Sequence, residues 1–325
     1  MKSKNPPVSV IIVDYKDNNP YLLEGFEAIQ KQSYQNYEII LVTDYKNNLN
    51  FPKLKKKYFN RYTGPAEKRD WGAKIAKGEI LVFLDDDAFP SKNWLKEIVK
   101  EFQNKNVCAV GGPGITPEGV GWQEEASGWA SASPLGSGNY IYRFLSHKRQ
   151  FVDDFPSMNL SVRKKDFLAV GGFDSHYWPG EDTKLCLDLV QKVQKKIVYQ
   201  PKAVVFHHRR PLWYPHLRQN GNFGLHRGFF ARVLPSTSLR PIYFLPSLLF
   251  IYIFLLPLAI TIFGNMVFVP LFTYIFLLTS NSVWILLRSK KAGQAILSLP
   301  VIFITHLWYG VRFLQGLLFT DKLKQ

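Results

Sequence analysis

Cysteine occurs only twice in 325 residues, as Cys108 and Cys186, and methionine three times. Two thiols cannot supply a disulfide framework, so both are expected as ordinary buried thiols. Acidic residues are also sparse: 25 Asp and Glu against 41 Lys and Arg leave a formal net charge of +16. No Gly-x-Gly-x-x-Gly follows the first strand-like run and no Gly-Lys-Ser/Thr appears, which leaves a dinucleotide fingerprint and a P-loop unsupported. The start, Met-Lys-Ser-Lys-Asn-Pro-Pro, lacks an apolar run followed by a cleavage site, so the first 200 residues are not expected to be exported.

Charge is absent altogether from 242–263 and 266–287. Each stretch, as a helix, can cross a hydrocarbon core of roughly 30 Å. A third, 295–319, is long enough but carries His306 and Arg312, which are costly in lipid unless they pair, snorkel or face other helices. The loop Arg288-Ser-Lys290-Lys291 is basic and Gly264-Asn265 is neutral, so the basic loop is expected on the cytoplasmic side together with the N-terminal part. The expected division is therefore a soluble domain over 1–210, an interfacial segment over 211–240 and a transmembrane region over 241–325, in a multi-pass protein of the cell membrane. In 214–234, Phe223, Leu225, Phe229 and Phe230 mix with Arg218, His226, Arg227 and Arg232, which suits a helix at the headgroup level. With no nucleic-acid motif beside them, these cations point to membrane lipids and not to nucleic acid.

Against this basic background stand three adjacent carboxylates, Asp85, Asp86 and Asp87, ending the apolar run Gly78-Glu-Ile-Leu-Val-Phe-Leu84. Like charges so close repel, and a divalent metal is the natural compensation. Val8-Ser-Val-Ile-Ile-Val13 and Tyr37-Glu-Ile-Ile-Leu-Val42 read as strands covered on both faces, with a helix over 21–32 between them. Strand, helix, strand is a βαβ unit, and a further helix from Gly64 to Gly78 leads into the strand that bears the acidic cluster. Asp14, Asp44 and Asp85 to Asp87 should then meet at the carboxyl edge of an open α/β sheet, where ligands bind. A metal held by Asp85 and Asp87 would bridge a diphosphate.

Seven segments together resemble family 2 glycosyltransferases, the inverting nucleotide-sugar-dependent enzymes with a GT-A fold. They are Val8-Ser-Val-Ile-Ile-Val-Asp-Tyr15, Tyr37-Glu-Ile-Ile-Leu-Val-Thr-Asp44, Gly64-Pro-Ala-Glu-Lys-Arg-Asp-Trp-Gly72, Lys77-Gly-Glu-Ile-Leu-Val-Phe-Leu-Asp-Asp-Asp87, Asn159-Leu-Ser-Val-Arg163, Gly171-Gly-Phe-Asp174 and Gly180-Glu-Asp182. The resemblance implies an α/β, Rossmann-like GT-A domain ahead of the transmembrane helices. It implies donor contacts from Val13, Tyr15, Asp44, Arg69, Asp85 and Asp86, with Asp86 also shaping the turn, and a Mn2+ or Mg2+ ion held by Asp85, Asp87 and His207. His208 is an equal claimant to the place of His207. Arg210 is implied as a diphosphate contact, Asp182 as catalytic base with Glu181 beside it, and Met158 and Asn159 as lining for the acceptor. Asp14, Lys16, Thr43 and Asp70 depart from the family's usual Thr, Asn, Asp and Asn, so the resemblance does not choose among UDP-, GDP- and dTDP-sugars.

Some features remain open on the sequence. Glu181 and Asp182 at a helix start can equally be caps. The glycine- and serine-rich stretch between Gly112 and Phe155, with Trp122, Trp129, Tyr140 and Tyr142, is either a sugar lid or packing over the sheet. Lys53 to Lys57 are expected on a solvated helix face. The functional reading is transfer of a sugar to a lipid-linked or growing glycan acceptor at the cytoplasmic face, the alternatives being transfer to polyprenyl phosphate itself and a metal-dependent nucleotidyltransferase. A processive synthase is disfavoured, since no Gln-x-x-Arg-Trp motif occurs.

Overall fold

Val8–Asp14 forms the strand β1, and all seven of its residues are buried. Its β-branched side chains favour the extended chain, and each fully buried Val or Ile contributes about 1.5–3 kcal/mol. Parallel neighbours flank it on both sides, β2 (Tyr37–Thr43) and β4 (Ile80–Asp85). The computed structural model describes residues 5–14 and 19–323. The remaining strands are β3 (Leu54–Tyr58), β5 (Ala88–Pro90), β6 (Val107–Gly111), β7 (Gly114–Ile115), β8 (Gln150–Val152), β9 (Asn159–Arg163), β10 (Lys196–Tyr199) and β11 (Val205–His207). Eight make one sheet in the order β3-β2-β1-β4-β9-β6-β10-β8, with β9 antiparallel to both its neighbours, and β5-β11-β7 make a second, smaller sheet.

Residues Met1–Ile115 and Leu145–His208, with Leu323–Gln325, form one compact unit; Thr116–Phe144 and Arg209–Lys322 form another. Around the sheets of the first unit lie α1 (Pro20–Gln30), α2 (Pro65–Ile75), α3 (Trp94–Glu101), α6 (Lys164–Val170) and α7 (Glu181–Gln191). The second unit contains α4 (Trp122–Ser131), α5 (Pro134–Ser137), α8 (Tyr214–Val233), α9 (Pro235–Ser238), α10 (Pro241–Phe263), α11 (Val269–Ser289) and α12 (Ala292–Phe319). Cys108 and Cys186 are buried free thiols, and burial pushes Cys108 up to about 11.

One expectation is corrected here. The basic run Lys53 to Lys57 is no helix face: most of it is β3, the edge strand, paired in parallel with β2. The backbone pairing offered by β2 overrides helix propensity, and a lysine-rich edge discourages pairing with a second molecule. Lys55 also pairs with Glu38 at 2.5 Å. The glycine- and serine-rich stretch belongs to the helical unit over 116–144. It carries α4 and α5 and packs within the helical unit, where Ala126 and Ala130 share a core with Ile285, Ala295, Val301 and Ile302.

In that unit α10 and α11, joined by a 3-10 turn over Gly264–Phe268, together make one apolar stretch, Pro241–Ser289, long enough to cross a membrane. Phe254, Phe276 and Leu287 are 73, 68 and 72% exposed, a surface suited to lipid. α12 also qualifies as a candidate span, and His306 within it bonds to the Tyr274 hydroxyl and the Leu135 carbonyl, which meets the need of a polar group for partners.

Gly221, Gly224 and Gly228 recur at helical spacing on one face of α8. A Cβ at Gly224 would stand 2.6 Å from the Tyr309 carbonyl oxygen and one at Gly228 2.0 Å from that of Phe313, while one at Gly316 would meet the Leu225 oxygen at 2.0 Å. α8 and α12 therefore run parallel with their backbones in contact, the close approach that small residues permit. The aromatic and basic residues of α8 had drawn the sequence reading; the glycine spacing beside them carries its packing.

Candidate active site

Two sheets build the acidic centre. Register pairs Val13 with Val42 and with Asp85, so the carboxyl ends of β1, β2 and β4 share an edge. In the small sheet His207 on β11 lies opposite Ala88 on β5, and this antiparallel pairing brings the imidazole back to Asp87. His207 Nε2 lies 3.0 Å from Asp87 Oδ1, and the His208 amide donates to the Asp87 carbonyl at 3.0 Å. Gly112 permits the chain ahead of β11 to approach, since a Cβ there would fall 1.9 Å from the Ala203 oxygen. One ligand atom from each of Asp85, Asp87 and His207 lies within 4.8 Å of the others, a possible metal site. Two hard carboxylates and an imidazole fit Mn2+ or Mg2+. His208 turns elsewhere, its Nε2 3.0 Å from Glu24 and its ring stacked on Tyr21 with centroids 4.0 Å apart. Of the two imidazoles, the His207 ring is the one beside Asp87.

On the β1 and β2 side, Asn19 caps α1 by accepting from the Tyr21 amide and donates its own amide to Asp86 at 2.9 Å. Burial, then a hydrogen bond with Asp14 and the charges of Asp87, Asp14 and Asp85, pushes Asp86 up to about 9. Tyr45 donates its hydroxyl to Asp14. Lys68, 2% exposed, donates to Asp44 at 2.7 Å and to the Asp14 carbonyl at 2.8 Å, leaving Asp44 Oδ1 buried without a partner. That oxygen can accept from a ligand N–H. Val13 is buried within β1, and Tyr15 lies outside the described residues.

Arg69 joins the two halves of the site. One guanidinium nitrogen donates to Asp85 at 2.9 Å and the other to Glu181 at 2.7 Å, with all three groups largely shielded from water. Breaking such a buried pair costs about 3–5 kcal/mol because it strands a charge. Arg69 is thus held between two carboxylates, where the resemblance had implied a residue approaching the nucleotide.

Glu181 and Asp182 open α7 after Gly180, whose φ of 148° lies in the region that favours glycine. Asp182 accepts from the Ser157 amide at 3.1 Å and the Thr183 amide at 2.8 Å. Burial, then the charges of Glu181 and Asp154, pushes it up to about 7, against those two backbone bonds. A carboxyl so placed can take up a proton near neutrality. The sequence reading missed Asp154, Thr183, Ser157 and Lys68, which no spacing ties to the site; Asn19 ahead of Pro20 was a legible cap signal.

Met158 and Asn159 fall in the core. Asn159, 1% exposed, accepts from the Trp94 indole at 2.9 Å and donates to the Ala203 carbonyl at 2.8 Å. Its amide is committed to the fold, and Met158 packs in the hydrophobic core with its tip against Gly114. Arg210 belongs to the second unit.

Comparison with known proteins bears on this geometry. Residues 9–166 match the family Glycosyl transferase family 2. The glucosyl-dolichyl phosphate glucuronosyltransferase of Haloferax volcanii is 22% identical over 62% of this chain and 68% of its own length. The O-antigen chain rhamnosyltransferase of Salmonella anatum is 28% identical over 62% of this chain and 66% of its own. A mannosyltransferase from Pyrobaculum calidifontis, solved with GDP-Man and Mn2+, superposes with a TM-score of 0.58 at 16% identity, covering 98% of this chain and 89% of that one. At that identity the likeness is one of fold.

Proposed function

We propose that the chain, which carries a family 2 glycosyltransferase domain over 9–166, a GT-A fold and candidate membrane-spanning helices, moves a sugar, with inversion, from a nucleotide-sugar to a lipid-linked or growing glycan acceptor at the cytoplasmic membrane face. The observation that carries this reading is Arg69 bonded to both Asp85 and Glu181, which ties the candidate metal ligands to a buried acidic pair within one unit. Asp85, Asp87 and His207 would hold a divalent metal, which when bound would neutralise charge growing on the leaving diphosphate. Asp44 accepts from the nucleobase through its open oxygen, Val13, Tyr15 and Asp86 border the donor, and Arg210 is assigned to the diphosphate.

Asp182 takes the proton of the acceptor hydroxyl. As the acceptor oxygen bonds to the anomeric carbon from the face opposite the diphosphate, the bond to the diphosphate breaks and its electron pair leaves with the nucleotide. A single displacement inverts the centre. Glu181 holds Arg69 and borders the base. The domain over 1–210 performs this chemistry, 211–240 meets the membrane surface and 241–325 anchors it.

The family assignment removes the ground for a nucleotidyltransferase. The archaeal relative is named for a glucosyl-dolichyl phosphate, a lipid that already carries a sugar, which favours the lipid-linked acceptor over direct transfer to polyprenyl phosphate. Full-length protein in nanodiscs with Mn2+, screened against UDP-, GDP- and dTDP-sugars, should bind one class and release nucleoside diphosphate on adding acceptor. Binding of none with metal present overturns the reading, and a product of retained anomeric configuration overturns the single displacement.

A further inference from the structure

Thr183 holds two carboxylates at once. Its amide donates to Asp182 Oδ1 at 2.8 Å, and its hydroxyl donates to Asp154 Oδ1 at 3.1 Å. Asp154 is 4% exposed, and three residues further along its segment the Ser157 amide takes the other oxygen of Asp182 at 3.1 Å. One short stretch, 154–157, and one helical turn therefore bracket the carboxyl that would serve as base.

We infer that Asp154 is a positioning residue for the proposed base: through Thr183 it fixes a second buried carboxylate beside Asp182 and makes Asp182 a stronger proton acceptor. Bringing negative charge toward a desolvated carboxylate favours its protonated form, the state a base must reach as it takes the acceptor proton. The charged groups facing Asp182 are Glu181 on its own helix, Asp154 from the segment before β9, and Arg69 from α2. Arg69 shares its charge between Asp85 and Glu181, so it offsets Glu181 first. Asp154 is left as the carboxylate whose negative charge reaches Asp182 from outside α7. If Asp154 only tied down the start of α7, its charge would be dispensable, because an amide oxygen accepts the Thr183 hydroxyl equally well.

The inference rests on Asp182 as base, and the experiment separates the two. Full-length protein in nanodiscs with Mn2+, donor and acceptor gives kcat/KM against pH for the wild type, Asp182→Asn and Asp154→Asn. Asp182→Asn should abolish the limb that rises through neutrality; if it stays active with that limb intact, the base assignment fails. With that assignment standing, Asp154→Asn should move the limb about one pH unit lower and lower the alkaline plateau about threefold, as a weaker base does, with donor KM unchanged. A limb that stays in place in folded Asp154→Asn overturns the positioning role alone. Should the amide variant fail to fold, Asp154→Ser removes the same charge with a smaller side chain and is read against the same two outcomes.

Discussion

In the first unit the buried side chains include Asp14, Lys68, Arg69, Asp87, Arg163 and Glu181; in the second, among the described residues, the buried polar side chains are Ser, Thr, Asn, Gln and His alone. The histidines fit the contrast. His216, bonded to Ser127, Thr305 and Asn220, is held down to about 4 by burial, and His226 likewise to about 4 by burial and then by Arg227 and Arg312, so both are neutral at physiological pH. Buried charge demands a partner of opposite sign, and the sheet unit supplies them at its carboxyl edge, where the chemistry needs charge. A helical unit bearing candidate spans keeps its interior neutral because charge beside lipid is costly, and closes its contacts with glycine and hydroxyls.

Removing a charge from the first unit should therefore act on chemistry. Asp87→Ala should lower turnover about a thousandfold and abolish thermal stabilisation by Mn2+, measured by activity assay and by melting with and without metal. Asp182→Asn should cost about 100- to 10,000-fold with a hydroxyl acceptor and little if the acceptor is a phosphate. In the wild type the base must be ionised, and Asp182 is pushed up to about 7. kcat/KM should accordingly rise with pH through neutrality and fall about tenfold per unit well below it.

A methyl group should suffice to disturb the second unit. Gly228→Ala drives a Cβ to 2.0 Å from the Phe313 oxygen, and about 1–3 kcal/mol of lost stability is expected, read as a lower melting temperature in detergent with donor affinity unchanged. The smallest effect concerns Asp70, which burial chiefly pushes up from 3.8 to about 7, Glu181 and Asp174 adding to this against the Phe173 amide and Arg69. Its proton binds more tightly in the folded chain, so stability is full below the ordinary value and lost as pH rises to about 7. Asp70→Asn keeps an acceptor for the Phe173 amide, 2.9 Å away, and should raise the melting temperature by a few degrees at about pH 8 while leaving it unchanged at about pH 4. Equal gains at both pH values would show that ionisation of Asp70 carries no penalty.

The strands of the βαβ unit were legible because buried parallel strands write themselves as unbroken apolar runs, and Asp14, Asp44 and Asp85 followed from where those runs end. The helix starts at Pro20 and Pro65 were legible from proline at the first helical position. Lys53 to Lys57 were misread because four lysines and a leucine carry no strand signature until β2 lies alongside. That Asn159 bonds Trp94 and Ala203 was not legible, because a motif position says nothing of which side an amide faces.

The sequence by itself determined the sheet's parallel half, the apolar helices and the acidic cluster, since each is written in the local order of apolar and charged residues. Tertiary structure alone decided that His207 and not His208 meets Asp87, that Arg69 spans Asp85 and Glu181, and that Asp154 stands behind Asp182. Such pairings join residues tens to more than a hundred positions apart, and only strand register and desolvation determine which charges become neighbours.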